Sequence, residues 1–127
     1  MASFDWTIRE KPYDLRERLF RYACLIVRLV QFLHTRGPIA RALSEQLLKC
    51  GTSAGANYEE ADDGSSPRDK LAKHRIVLRE LKESRFRLRM LRESGFLTTI
   101  HDPLIGETTE LVKILAAIVR NSTSSQA

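Results

Sequence analysis

At 127 residues, the chain has the length of one domain with one hydrophobic core. Its net charge of +5 favours polyanionic partners, chiefly nucleic acid. The longest apolar stretch, residues 22–33, is interrupted by Arg28 and is too short to span a bilayer, and the N-terminus shows no apolar signal sequence. We therefore expect a cytoplasmic protein with no membrane contact.

The chain begins with residues 1–13, whose loosely alternating apolar side chains predict an extended strap. A helix should begin at Asp14, because Asp14 followed by Glu17 three positions later forms a capping-box pattern. This first helix is expected to run to about Thr35, where Gly37 supplies the stop.

Three more helices are predicted from their proline starts, glycine stops and helical spacing of apolar residues. They cover about 38–63, 67–95 and 102–121, and the polar residues 122–127 are expected to form a disordered tail. The connections are short, so consecutive helices should be antiparallel neighbours. The sequence thus predicts an all-α, antiparallel up-down four-helix bundle over residues 14–121.

Two of the predicted helices carry apolar residues outside the stripe that faces the core. Those on the first helix are Phe20, Cys24 and Val27, and those on the third are Ile76, Phe86 and Met90. Single exposed apolar residues are ordinary in monomers. Two such groups in one small chain are more typical of an interface between copies, so we expect a homo-oligomer.

The third predicted helix is strongly basic, with ten Lys or Arg against four Asp or Glu. Five of its cations fall on one face: Arg68, Arg75, Arg79, Lys82 and Arg89. The first helix adds Arg18, Arg21 and Arg28 on its outer side. Such a surface can follow a phosphate backbone, although a solvated face is the simpler alternative. No base-reading motif is present, so binding would be led by shape and charge.

Arg85 falls inside the apolar stripe of the third helix, where an unpaired charge would be costly. Glu59 and Glu60 are its expected partners, and Asn57 would complete a polar cluster of structural or functional importance. In the same predicted helix, Gly51 and Gly55 each cost roughly 1 kcal/mol relative to Ala. Close approach of a neighbouring helix backbone is the simplest compensation.

The second and third predicted helices also carry a family resemblance. The motif GANYEEA, from Gly55 to Ala61, lies near the end of the second helix, and a Ser-rich turn leads to the basic run KHRIVLRELKESR from Lys73. Together they resemble the bacterial four-helix-bundle family of 23S rRNA intervening-sequence proteins, a family related to accessory proteins of diversity-generating retroelements. The resemblance extends from about Asp14 to about Val119. It implies a ring-like homo-oligomer of the pentamer type and a role linked to RNA or other nucleic acid.

No catalytic motif stands out in the sequence, and the cysteines and histidines are not spaced as metal ligands. The spacing of Arg68 and His74 is similar to the Arg–His motif of helical HEPN-type ribonucleases, but Arg28 and His34 show the same spacing, so a HEPN-like ribonuclease is only a minor alternative. We therefore predict a non-enzymatic scaffold without cofactor or metal, which binds nucleic acid. The main alternative is an adaptor whose basic face docks an acidic protein.

Overall fold

The computed structural model describes residues 4–64 and 66–126 and contains four long helices, with no strand among those residues. The helices are α1 (Leu15–His34), α2 (Pro38–Asp62), α3 (Pro67–Glu93) and α4 (Asp102–Gln126). A short 3₁₀ helix, Thr99–His101, leads into α4. Each helix packs on the next one in sequence. The all-α four-helix bundle predicted from the sequence is confirmed.

The helices begin where the sequence supplies their caps. The side chain of Asp14 accepts the Arg16 N–H at 3.1 Å, and that of Ser66 accepts the Asp69 N–H at 3.2 Å. Each bond satisfies a backbone donor that has no partner within its own helix. The chain turns between α1 and α2 at Gly37, whose φ of 105° is strained for any other residue type.

The core runs the length of the bundle and consists mainly of aliphatic side chains from all four helices. Fully buried examples are Leu19, Ile26, Leu33, Leu47, Leu81, Leu88, Leu104, Leu111 and Leu115. Because the apolar stripe of each helix meets that of its neighbours, the opposite face of each helix is left for solvent or partners.

The glycine pair of α2 lies against α1. A Cβ placed on Gly51 would lie 2.8 Å from both γ-carbons of Ile26, and a Cβ on Gly55 would lie 3.3 Å from the Leu19 carbonyl oxygen. Both distances are shorter than ordinary contacts, so the missing side chains let the two helices approach closely. The close helix approach expected from the glycine spacing is confirmed.

The strap, residues 4–13, forms neither helix nor strand and lies along the side of the bundle where α1 meets α4. Trp6 is only 6% exposed, with its ring centroid 5.4 Å from that of His101. Phe4 packs edge-on against Trp6, and Lys11 forms an ion pair with Glu110 of α4. Residues 1–3 of the predicted strap lie outside the described residues.

One expectation about local structure is corrected. Helix α4 continues to Gln126, so residues 122–126 are helical where the sequence predicted a disordered tail. In this last part of α4 the Thr123 hydroxyl donates to the Val119 carbonyl at 2.8 Å and accepts from the Arg75 guanidinium of α3 at 3.3 Å. Cys50 is buried, and Cys24 is exposed, in keeping with its position outside the core-facing stripe of the first helix. Throughout the described ranges, no helix has the length and apolar character needed to cross a membrane.

Candidate nucleic-acid interface

The five cations singled out on α3 all lie on its exposed face, here called the basic face. Four of them follow one another at intervals of seven residues: Arg68, Arg75, Lys82 and Arg89. Seven residues make two helical turns and about 10.5 Å of rise, so these four share one line along the helix. Arg79 lies in the neighbouring line. No proline interrupts α3 after its first residue, so the arrangement is straight and continuous.

The charges of the basic face are largely uncompensated. In the portion of the chain that the structure describes, no ion pair joins Arg68, Lys82 or Arg89 to a carboxylate. Arg75 contacts the Thr123 hydroxyl instead. Arg79 lies 3.7 Å from Glu80, but its side chain is 74% exposed. An exposed pair of this kind is weak. The face therefore presents nearly its full positive charge to solvent.

The first-helix cations differ from this pattern, and Arg18 is a correction. Its side chain is 12% exposed and donates to Glu107 of α4 through two bonds, of 2.8 and 2.6 Å. The hydrogen bond to Glu107 is the largest cause that raises the pKa of Arg18. Arg18 joins α1 to α4 and is not part of an open basic surface.

Arg21 and Arg28 stay at the surface but are partly engaged. Arg21 donates to Glu17 at 3.3 Å and lies 4.0 Å from Glu10. The guanidinium of Arg28 lies over the Phe4 ring, 4.2 Å from its centroid, in a cation–π contact.

The position of α1 in the bundle separates its cations from those of α3. Helices α1 and α3 both pack on α2. Helix α1 also contacts α4 through side chains, such as the hydroxyl of Tyr22, which lies 2.8 Å from the hydroxyl of Thr108 in α4. Helices α1 and α3 are therefore diagonal, and their outer faces point in opposite directions. The two sets of cations therefore do not form one continuous surface, and the aligned, unpaired cations are those of α3.

The two apolar groups expected to form an interface also occupy opposite sides of the molecule. On α1, Phe20 is 53% exposed, Val27 is 42% exposed and Cys24 is exposed. On α3, Phe86 is 61% exposed, while Ile76 and Met90 are half-buried. The interface between copies stays a prediction, but both groups contain apolar surface that this chain alone leaves uncovered.

The expected ion pairs of Arg85 with Glu59 and Glu60 are wrong, because these residues lie at different levels along the axes of α2 and α3. Glu59 instead pairs with Arg16 of α1 at 3.0 Å, and Glu60 pairs with Lys73 at 3.0 Å. Lys73 and Arg85 are twelve residues apart on α3, which is about 18 Å along the axis. Arg85 is half-buried near the middle of the bundle, at the level where Ser84 contacts Cys50.

Asn57, the remaining member of the expected polar cluster, donates to the Ser53 carbonyl at 2.9 Å within its own helix. The acidic end of α2 is joined to α1 by Arg16, which also contacts Asp63 at 3.0 Å. Sequence reasoning missed this role of Arg16, because the position of a cation in the first turn of one helix does not indicate which other helix end lies beside it. The cluster is thus split into separate structural contacts.

Arg68 and His74, the pair with the spacing of the ribonuclease motif, point in different directions from α3. His74 is 7% exposed and stacks on Tyr58, with ring centroids 5.3 Å apart, while Arg68 lies on the outer face of the same helix. Six residues correspond to about 240° of rotation, so the two side chains diverge. Burial lowers the pKa of His74, and neither ring nitrogen has a hydrogen-bond partner in the described structure. His34, of the second pattern, is exposed.

A shallow groove beside Phe86, between the end of α3 and the start of α4, was not predicted. It is lined by Phe86, Arg89, Met90, Arg92, Glu93, Asp102 and Ile105. Arg92 donates to Asp102 at 3.0 Å and holds the two helix ends together. The periodicity of one helix does not reveal such a groove, because Ile105 reaches it from the other helix.

Among the described residues, no group of three His, Cys, Asp or Glu side chains could hold a metal ion.

The fold and this surface define a small all-α protein of the four-helix-bundle class with an uncompensated basic helix face. A solved structure from Bacteroides thetaiotaomicron, a protein with unknown function from the S23 ribosomal protein family, is similar to it with a TM-score of 0.75. The two sequences are 30% identical over 83% of this chain and 97% of that one. The chain belongs to the S23 ribosomal protein family. No protein-family model and no curated protein matches it.

Proposed function

We propose that this protein is a non-enzymatic, oligomeric helical scaffold of the bacterial cytoplasm that binds RNA or another nucleic acid through the basic face of α3. The observation that carries the proposal is the line of four cations at seven-residue intervals, none of which is paired with a carboxylate in the described parts of the chain. By contrast, Arg16 and Arg18 are paired with acidic residues of neighbouring helices. Other exposed cations without an ion pair in the described chain, such as Arg41, Lys49 and Lys113, are divided between α2 and α4 and form no such line.

The dimensions of the basic face suit a phosphate backbone. From Arg68 to Arg89 the line extends about 32 Å along the helix axis. This length matches roughly nine base pairs of duplex at 3.4 Å per step. Each cation that neutralises a phosphate releases a condensed counterion, so binding should be strong at low salt and should weaken steeply as salt is added.

The oligomer is proposed from the placement of the apolar groups. The two predicted groups, one of Phe20, Cys24 and Val27 and the other of Ile76, Phe86 and Met90, lie on opposite sides of the molecule. Contact between copies would therefore join two different surfaces. Such heterologous contacts close into rings when the rotation permits. The resemblance to 23S rRNA intervening-sequence proteins supports a ring of the pentamer type, as well as a connection to RNA. In a ring, each subunit would add one more basic face.

The proposal is tested by fluorescence anisotropy with labelled structured RNA and duplex DNA at low salt. The test variant is Arg75→Glu/Arg79→Glu/Arg89→Glu. A control variant, Arg41→Glu/Lys49→Glu/Lys113→Glu, changes the net charge equally at exposed positions of α2 and α4. Circular dichroism and sedimentation velocity would check the folding and assembly of both.

We expect the wild type and the control to bind, and the test variant to lose about 100-fold or more in affinity through lost phosphate contacts. Equal losses in the test and control variants would mean that net charge alone matters. No binding by the wild type at low salt would refute the proposal and would favour an acidic protein as the partner of the basic face.

A further inference from the structure

We infer that Phe86 is a stacking platform for an unpaired base, so that the α3 surface binds single-stranded nucleic acid in preference to duplex. This inference rests on the proposed function, because it names the kind of nucleic acid that the basic face would take. It takes Phe86 and the adjoining Met90 away from the predicted contact between copies, which would keep Ile76 on α3.

The position of Phe86 within the basic face is the first argument. It lies seven residues after Arg79, four after Lys82 and three before Arg89, and these spacings place all four side chains on adjacent turns of one helix face. Phe86 is therefore surrounded by cations along the helix, with Lys82 on one side and Arg89 on the other. Its ring is 61% exposed, the most exposed phenylalanine in the described chain.

The chemistry of this arrangement fits a single strand. Aromatic side chains set among cations bind single strands because every base has a π-face that can stack on the ring while the cations hold the backbone. Lys82 and Arg89 are long enough to reach the phosphates on either side of one nucleotide. The groove beside Phe86, with Met90 and Ile105 on its apolar side, leaves open space next to the ring for a base.

A duplex would use the same cations but not the ring. In a duplex the base faces are covered by their neighbours, so Phe86 would meet only sugar and phosphate and would gain little. The contribution of Phe86 should therefore appear in single-strand binding alone, whereas the contribution of the cations should appear with both forms.

The experiment uses the full chain and two fluorescein-labelled probes, a 12-nucleotide single-stranded RNA of mixed sequence and the duplex of the same sequence. The variants are Phe86→Ala, Phe86→Trp and a control, Tyr13→Ala, which removes a fully exposed aromatic ring from the strap. We expect Phe86→Ala to weaken single-strand binding about 5- to 100-fold, the range for loss of one stacked base. Duplex affinity should change less than about twofold. Phe86→Trp and Tyr13→Ala should keep wild-type affinity for both probes.

A second measurement reports stacking directly. In Phe86→Trp, the new indole is exposed while Trp6 is buried, so single-stranded RNA should quench the added fluorescence and the duplex should not. Three results would overturn the inference: unchanged single-strand binding by Phe86→Ala, equal weakening for both probes, or dissociation of the assembly. The last would make Phe86 a contact between copies of the chain. Failure of the wild type to bind either probe would instead remove the proposed function and this inference with it.

Discussion

The replacement of Gly51 by alanine tests the close packing of α1 on α2. The added Cβ would lie 2.8 Å from the Cγ1 and Cγ2 atoms of Ile26 and 3.2 Å from its Cβ. These atoms are at the base of a β-branched side chain, which is stiff, and Ile26 is fully buried. The clash cannot be relieved by rotation of a flexible side-chain end, so α1 and α2 must move apart.

The magnitude follows from two opposing effects. Alanine is favoured over glycine inside a helix by about 1 kcal/mol. Inserting a methyl group into a filled core costs about 1 to 3 kcal/mol. We expect Gly51→Ala to lower the free energy of unfolding by about 1 kcal/mol, which for a chain of this size lowers the Tm by about 3 to 5 °C.

Gly106→Ala provides the matched control, because the same chemical change in α4 would place a Cβ with no heavy atom of a neighbouring helix within 4 Å. It should stabilise the protein by up to about 1 kcal/mol through helix propensity alone. Both variants would be compared with the wild type by urea unfolding followed by far-UV circular dichroism. The protein concentration must be held constant, since self-association would make the stability depend on it. If Gly51→Ala stabilised the protein as much as Gly106→Ala did, the close packing argument would be refuted.

Three further predictions concern the strap, a buried ion pair and a buried histidine. Trp6→Ala should lower the free energy of unfolding by about 3 kcal/mol in urea titrations, as for other buried aromatic side chains; a change below 0.5 kcal/mol would show that the strap is not docked. Glu107→Gln leaves the charge of Arg18, which is 12% exposed, without its main partner and should lower the free energy of unfolding by about 3 kcal/mol. Arg18→Met/Glu107→Leu removes both charges and should recover much of that loss in the same urea titrations. Burial lowers the pKa of His74 from 6.5 in the folded chain. As the pH falls, His74 is therefore protonated in the unfolded chain before it is protonated in the folded chain. Stability should therefore decrease below about pH 6.5 and level off beneath the lowered pKa, and His74→Phe should weaken this dependence between pH 7.5 and 5; an unchanged pH profile would contradict it.

The features that could be predicted from the sequence are those that depend on local chemistry. Asp14 and Gly37 mark helix ends through capping and backbone conformation, and the structure places α1 between them. The spacing of Gly51 and Gly55 indicated a close helix contact, because a costly residue type repeated on one helix face needs a packing reason. The exposure of the basic face followed from helical periodicity, since the apolar stripe of α3 fixes which side faces solvent.

The features that the sequence did not reveal depend on how far each residue lies along its neighbouring helix. A helical wheel correctly places Arg85 toward the apolar side but carries no information on axial register, and so Glu59 and Glu60 were assigned to it wrongly. Arg18 was placed on an outer surface because the position of α4 beside α1 is a property of the whole fold. The composition of residues 122–126 predicted disorder, but α4 continues through them, and Thr123 contacts Arg75 of α3 there.

The most direct test of the basic face as a phosphate-binding surface is the salt dependence of RNA binding. The affinity for a 12-nucleotide single strand would be measured between 50 and 200 mM salt, the range in which such contacts weaken strongly. If the five cations of one subunit each neutralise one phosphate, the slope of log affinity against log salt should be about −3.5. In Arg75→Glu/Arg79→Glu/Arg89→Glu, any residual binding should have a slope no steeper than about −1.4. A wild-type slope near zero, or an equal slope in both proteins, would contradict the assignment of phosphate binding to α3.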